Sequence, residues 1–220
     1  MLSAENLASI ESEGRRLGDY AVRDMGRPVP QYPGWIMADL VEHTGSIHAR
    51  TTLIVTELPT ERVSAPTRPD ERDLAEWYVE SLEGMLAAFR ATDPATPCWG
   101  FGSTPCVGFW ETRMVIETGV HRWDAAQAFG EEDRLIDNVA GKGLDEFADM
   151  WFPRLGDVVP LTVRATDLDR SWTFGDGEHE EVVEGTASDL YLRLVARPSP
   201  VTLPADWAAA IDGLPPPPKR

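Results

Sequence analysis

Prolines and glycines cluster in short stretches of this sequence, and long segments with a helical spacing of apolar residues lie between them. Three such stretches are residues 26–34, 59–69 and 93–102, and each contains several of these residues. A proline inside a helix removes a hydrogen bond and clashes with the preceding turn, so each stretch must end one helix and separate it from the next. This pattern predicts a chain of separate helices joined by proline-rich connections.

Apolar residues recur at intervals of three, four and seven in the segments between these stretches, which is the spacing of an amphipathic helix. The predicted long helices are residues 3–23, 36–57, 70–92 and 104–129, and a fifth covers residues 137–151. Four long helices joined by such breaks indicate an antiparallel bundle.

The period of the pattern changes after residue 160. Alternating apolar and polar residues predict strands at 161–166, 171–174 and 181–184, followed by a helix at 188–197 and a short helix at 207–211. The sequence therefore predicts an α+β protein. Its first domain, residues 1–133, is a helical bundle, and its second, residues 134–220, is a smaller α/β domain.

The overall charge of the chain excludes several classes of partner. Twenty Lys and Arg residues stand against 37 Asp and Glu, a formal net charge of -17. Such a chain repels nucleic acid and anionic lipid. The sequence shows neither a signal peptide nor an apolar run long enough to cross a bilayer, and its two cysteines cannot form a disulfide framework. We therefore expect a soluble, cytoplasmic protein with reduced thiols and with no nucleic acid or membrane as partner.

The chain contains only four histidines, and one of them lies one helical turn from an acidic residue. Glu117 and His121 are four residues apart on the predicted fourth helix, so they lie one turn apart on its apolar face. A buried carboxylate needs a partner or a cation. From spacing alone, a buried ion pair between Glu117 and His121 is the more frequent explanation, and a metal site is the alternative.

A third ligand for such a metal could come from the predicted second helix. His43 and His48 lie on opposite edges of its apolar stripe, and spacing leaves the choice nearly open, with a small preference for His48 because it lies nearer the centre of the stripe. Two imidazoles and one carboxylate form a common three-ligand set for zinc, with positions left for water or substrate. Asp124 could orient an imidazole of this set, although a surface or capping role is equally compatible with its position.

Two segments carry a resemblance to a known family. The run from Tyr32 to His48, YPGWIMADLVEHTGSIH, and the run from Glu117 to Asp124, ETGVHRWD, resemble the mycothiol-dependent maleylpyruvate isomerase family, within the DinB-like superfamily of metal-binding four-helix bundles. The resemblance extends to residues 161–167 and 185–197. It implies a DinB-like four-helix bundle followed by the smaller α/β domain of this family.

The resemblance also implies a site and a cofactor. By this mapping the metal ligands are His48, Glu117 and His121, the metal is divalent and most often zinc, and mycothiol is the thiol cosubstrate. Arg197 matches an arginine implicated in the thiol or substrate pocket, so we expect it to act in catalysis and in cosubstrate binding. A helix-terminal cation favoured by the helix dipole is the alternative role for this arginine.

The function implied is that of a metal-dependent, thiol-using enzyme. A metal-bound thiolate of mycothiol would attack a small electrophilic metabolite, in an S-transferase or a cis-trans isomerase reaction. Two other functions stay open from the sequence. One is a metal-dependent hydrolase that uses a metal-bound water, and the other is a non-catalytic ligand-binding bundle.

Overall fold

The computed structural model describes residues 2–69, 71–176 and 181–214, so His179 lies outside the described part. The chain divides into two compact units, of which the first ends at Asp133 and the second begins at Arg134. The first unit contains four long helices: α1 (Leu2–Arg23), α2 (Met37–Glu57), α3 (Leu74–Ala91) and α4 (Val107–Ala128). α1 and α2 each pack against both α3 and α4.

Contacts between the helices give their relative directions. α1 and α4 run parallel, because Asn6 contacts Glu111 at 2.8 Å and, further along both helices, Glu13 contacts Arg122 at 2.6 Å. α2 and α3 also run parallel. Gly45 of α2 packs on the ring of Trp77 in α3, and His48, further along α2, packs on Tyr78, further along α3. The remaining pairs are antiparallel. The bundle is therefore up, down, down, up, rather than antiparallel between all neighbouring helices.

The connection between α2 and α3 explains this parallel pair. It covers residues 58–73, and an extended chain of that length spans up to about 50 Å. α2 contains 21 residues, a length of about 32 Å at 1.5 Å per residue. The connection can therefore return along the whole of α2, which lets α3 start at the same end of the bundle as α2.

The proline-rich loop before α2 closes the start of that helix. The backbone N–H groups of Met37 and Ala38 donate to the carbonyl oxygens of Arg27 and Met25, at 2.8 and 2.9 Å. These bonds satisfy helix donors that have no partner within the helix itself. The loop thereby holds Tyr32 and Trp35 beside the first turns of α2, with both side chains buried.

The second unit combines helices with a small sheet. Its elements are α5 (Asp137–Glu146), β1 (Leu161–Ala165), β2 (Arg170–Phe174), β3 (Glu181–Gly185), α6 (Ala187–Leu194) and α7 (Ala205–Asp212). The strand order is β2-β1-β3, with β2 antiparallel and β3 parallel to the central β1. Aromatic rings form the centre of its core, where Trp207 is fully buried and packs on Phe174 and Phe152.

The predicted fold class is confirmed. The described chain contains the helical N-terminal part and the three predicted strands in the C-terminal part. Several boundaries differ by a few residues. The helix predicted to reach Trp151 leaves the α-helical form after Glu146 and continues as a π-helical turn, Phe147–Trp151, and the helix predicted to reach Arg197 ends at Leu194. In the described residues, no helix has the length and apolar character that crossing a membrane requires.

Candidate metal centre

Glu117 and His121 lie one turn apart on α4, and their side chains are in contact. The Oε1 atom of Glu117 is 3.1 Å from Nε2 of His121. Both residues are buried. The helical spacing therefore brings an acid and an imidazole together on the inner side of α4.

The second helix contributes a histidine to the same place. The Nε2 atom of His43 on α2 lies 3.6 Å from Oε1 of Glu117, and the His43 and His121 rings meet edge to face with centroids 5.1 Å apart. One potential ligand atom from each of His43, Glu117 and His121 lies within 4.8 Å of the other two. These three side chains form the candidate metal centre.

The donor set and its spacing fit a divalent cation. Ligand bonds of about 2.0–2.1 Å in a tetrahedral arrangement place neighbouring ligand atoms about 3.3 Å apart. The two distances from Oε1 of Glu117 to the histidine nitrogens, 3.1 and 3.6 Å, lie on either side of this value. Two imidazoles with one carboxylate are also a donor set that catalytic zinc sites use, with a position left for substrate. The residues present therefore fit such an ion.

The charges around the cluster favour the ionised forms of Glu117 and His121, although both side chains are buried. Burial raises the pKa of the Glu117 carboxyl, but the Arg113 guanidinium and hydrogen bonds from His121 and His43 outweigh it and hold that pKa well below its ordinary value. Burial likewise lowers the pKa of His121, but Asp124 and Glu117 reverse this effect and leave the pKa raised. The contact between Nε2 of His121 and Oε1 of Glu117 needs a positive centre between the two atoms, either a proton or a metal ion.

A hydrogen-bond chain behind His121 orients its ring. Nδ1 of His121 lies 3.1 Å from Oδ2 of Asp124, and the Tyr32 hydroxyl donates to the same oxygen at 3.1 Å. Asp124 is fully buried. A carboxylate that accepts from one ring nitrogen of a metal-binding histidine fixes which nitrogen faces the metal. Of the two roles open for Asp124 from the sequence, the structure shows the geometry required for orienting an imidazole.

The second oxygen of Glu117 has a different environment. Arg113, one turn before Glu117 on α4, donates from its guanidinium to Oε2. The Arg113 side chain is 19% exposed and that of Glu117 is 10% exposed, so most of this pair lies out of contact with water. The carboxylate therefore presents one oxygen to the two histidines and the other to a fixed cation.

The structure places the two histidines of α2 in different surroundings. His48 is fully buried, its Nε2 lies 2.9 Å from the Thr118 hydroxyl, and its ring packs against Tyr78. His48 does not belong to the group that could hold a metal ion, and His43 takes the place expected for it. His48, near the centre of the apolar stripe, is fully buried, whereas the His43 side chain is 11% exposed.

Arg197 lies in the second unit, just after α6. Its backbone N–H donates to the Leu192 carbonyl at 2.9 Å, and its guanidinium donates to the Val195 carbonyl at 2.8 Å. Ala196, directly before it, has a φ of 59° in the left-handed region, as is common where a helix ends. These contacts are those of a helix-terminal cation, and the role of Arg197 in a thiol or substrate pocket stays a prediction.

Two residues of the site carried no role in the sequence analysis. Arg113 precedes Glu117 by four residues, so the i, i+4 rule for oppositely charged pairs on a helix could have identified it. Tyr32 lies in the loop before α2, where no helical or strand period applies. Its contact with Asp124 depends on the tertiary fold.

Comparisons with known proteins identify relatives of this arrangement. Residues 7–126 match the family of the mycothiol maleylpyruvate isomerase N-terminal domain. Two solved structures are similar, the crystal structure of the mycothiol-dependent maleylpyruvate isomerase, with a TM-score of 0.69, and that of a histidine-to-alanine mutant of it, with a TM-score of 0.72. Each is 14% identical in sequence, and each comparison covers 91% of this chain and 92% of the other. At this identity the likeness shows the fold alone. The comparison with curated proteins gives no match.

Proposed function

The chain belongs to the mycothiol maleylpyruvate isomerase family, and from this membership we propose that it is a metal-dependent enzyme that uses mycothiol to convert a small electrophilic metabolite. The proposed reaction is a cis-trans isomerisation, and the two similar solved structures carry the name of a maleylpyruvate isomerase. The observation that carries the proposal is the convergence of three ligand atoms, from His43, Glu117 and His121, within 4.8 Å of one another.

His43, Glu117 and His121 would hold the metal ion in this proposal. A divalent cation bound there would lower the pKa of a thiol at the site, so that the thiolate is available near neutral pH. The residues around the ligands prepare them for this role. Asp124 keeps a proton on Nδ1 of His121 and so leaves Nε2 directed at the centre. Tyr32 donates to Asp124 and holds that carboxylate in place.

The chemistry of the thiol accounts for both reactions expected from the sequence. In an isomerisation, the thiolate would form an S–C bond to one carbon of a double bond conjugated to a carbonyl group. The π electron pair would move onto the carbonyl oxygen, and the former double bond would become a single bond that can rotate. Breaking the S–C bond restores the double bond in the other geometry and releases mycothiol unchanged. In an S-transfer, the new S–C bond persists in the product. The protein itself needs no nucleophilic cysteine in either case.

Arg197 is the proposed contact for mycothiol or the substrate. A charged hydrogen bond contributes about 1.5–3 kcal/mol, so Arg197→Ala is expected to raise the KM for mycothiol by about 10- to 100-fold. Arg193→Ala is the matched control, because Arg193 lies on α6 and pairs with Asp212 at 2.8 Å. An unchanged KM in Arg197→Ala would leave this arginine with its helix-terminal role only.

The proposed function is tested by turnover of maleylpyruvate, followed as the change in geometry of its double bond. The purified protein is assayed with and without mycothiol, and before and after removal of its metal by a chelator. Conversion is expected only when both mycothiol and metal are present. Glu117→Gln is expected to lose both bound metal and turnover.

Other outcomes of this assay identify the competing functions. Turnover of an ester or amide substrate that is unaffected by mycothiol but abolished by the chelator would support a metal-dependent hydrolase instead. A protein that binds no divalent metal after exposure to Zn²⁺ would overturn the proposed metal site and favour a ligand-binding bundle. An adduct of mycothiol that accumulates would replace the isomerisation with S-transfer.

A further inference from the structure

The two oxygens of the Glu117 carboxylate have opposite surroundings. Oε1 faces the histidines, at 3.1 Å from Nε2 of His121 and 3.6 Å from Nε2 of His43. Oε2 accepts a hydrogen bond from Arg113. One oxygen is thus directed at the candidate metal centre, and the other is directed at a cation that belongs to the protein.

Arg113 holds this arrangement in place for structural reasons. It lies one turn from Glu117 on the same helix, so the backbone of α4 fixes the spacing of the pair. Its guanidinium is a cation that can only donate hydrogen bonds. Because both side chains are largely buried, water competes weakly for Oε2.

A carboxylate can bind a metal ion through one oxygen or through both. Binding through both would bring the divalent ion toward Oε2 and therefore toward the guanidinium, where two positive charges repel each other. The hydrogen bond from Arg113 would also have to break. The arrangement thus disfavours chelation by Glu117 and leaves a coordination position available.

From this geometry we propose that Arg113 is a positioning residue that restricts Glu117 to binding a divalent cation through Oε1 alone. The inference rests on the proposed function, because it assumes that His43, Glu117 and His121 hold the ion. Its consequence is a coordination position kept free for the thiol. Without Arg113, the second carboxylate oxygen could take that position.

The test uses Co²⁺ as a spectroscopic probe in the full-length protein. The visible absorption of Co²⁺ is intense at low coordination number and weak at high coordination number, so a second carboxylate oxygen weakens it. The variant Arg113→Met keeps the length of the side chain but removes its charge and donors, and we expect much of the absorption of the wild-type complex to be lost. Arg113→Lys restores a cation and is expected to recover part of it.

Arg90→Met is the matched control, since Arg90 pairs with Glu11 at 2.7 Å on the exposed surface, and its Co²⁺ spectrum should equal that of the wild type. Unchanged absorption in Arg113→Met would overturn the role of Arg113 while the metal site stands. Failure of the wild-type protein to bind Co²⁺ or Zn²⁺ would overturn the metal site itself, and the role of Arg113 with it.

A second measurement needs no variant and so does not depend on the folding of Arg113→Met. X-ray absorption of the Zn²⁺-loaded wild-type protein detects the carboxylate carbon at short distance only when both oxygens bind. Absence of this carbon shell supports the inference. Its presence contradicts the inference even if every variant fails to fold.

Discussion

Nε2 of His43 lies 3.6 Å from Oε1 of Glu117, although the two residues are 74 positions apart in the sequence. This contact joins α2 to α4 and adds a second imidazole to the pair that α4 provides by itself. Mutation can therefore test directly whether His43 or His48 is the metal ligand from α2.

We expect His43→Gln to lower the affinity for Zn²⁺ by more than about 100-fold, because losses in the outer hydrogen-bond shell alone cost about 10- to 100-fold. His48→Gln, with the same change of residue type five positions along α2, is expected to alter the affinity by less than about 10-fold. Competition with a chelating dye measures both. The reverse order of effects would restore His48 as the ligand.

The buried His48 predicts a specific pH dependence of stability. Burial, followed by smaller and opposing effects of Glu117 and His121, lowers the pKa of His48 to about 3, whereas an unfolded histidine titrates near 6.5. Tyr78, packed on the same ring, has a raised pKa because it is buried and so carries no charge here. Neutral His48 stabilises the fold fully above pH 6.5, and this contribution declines as the pH falls toward 3.

The expected loss from His48 is about 1.4 kcal/mol of unfolding free energy per pH unit between these limits. His48→Gln removes the titrating group, so between pH 6.5 and pH 4.5 the wild type should lose about 2 kcal/mol of unfolding free energy relative to the variant. Urea unfolding of the metal-free proteins at several pH values gives this difference. A difference that is constant with pH would contradict the buried, neutral state of His48.

Asp124 is expected to influence metal binding without touching the metal. Asp124→Ala removes the acceptor for Nδ1 of His121, and we expect the Zn²⁺ affinity to fall by about 10- to 100-fold. Tyr32→Phe is the control, because it removes only the outer donor and leaves the pair of Asp124 with His121 intact. Titration calorimetry measures both variants. Equal losses would show that the hydroxyl, rather than the carboxylate, determines the ring orientation.

The largest expected effect on stability comes from Arg122, which is fully buried. Its guanidinium donates to Glu13 on α1 at 2.6 Å and also pairs with Asp133. Arg122→Met leaves a buried carboxylate without this cation and should lower the unfolding free energy by about 3–5 kcal/mol. Adding Glu13→Gln removes the charge left behind, and the double variant should recover part of the loss. Strict additivity in urea unfolding would contradict direct coupling.

The sequence by itself determined the helices and the pairing of Glu117 with His121, because both depend on periods of a few residues along one helix. Proline positions predicted where the long helices end, and strict alternation predicted the three strands. The same helical spacing could also have identified Arg113, which lies four residues before Glu117.

Only the tertiary structure decided which histidine of α2 joins this pair. His43 and His48 lie five residues apart on one helix, so they differ by about 140° around its axis and by about 7.5 Å along it. Which of them reaches Glu117 depends on how the neighbouring helix packs against α2. Both histidines contact α4, since Nε2 of His48 lies 2.9 Å from the Thr118 hydroxyl, but the antiparallel packing of α2 on α4 brings His43 to Glu117, while the ring of His48 packs on Tyr78 of α3. These directions depend on how the connections between helices fold, and periodicity within a helix carries no information about them.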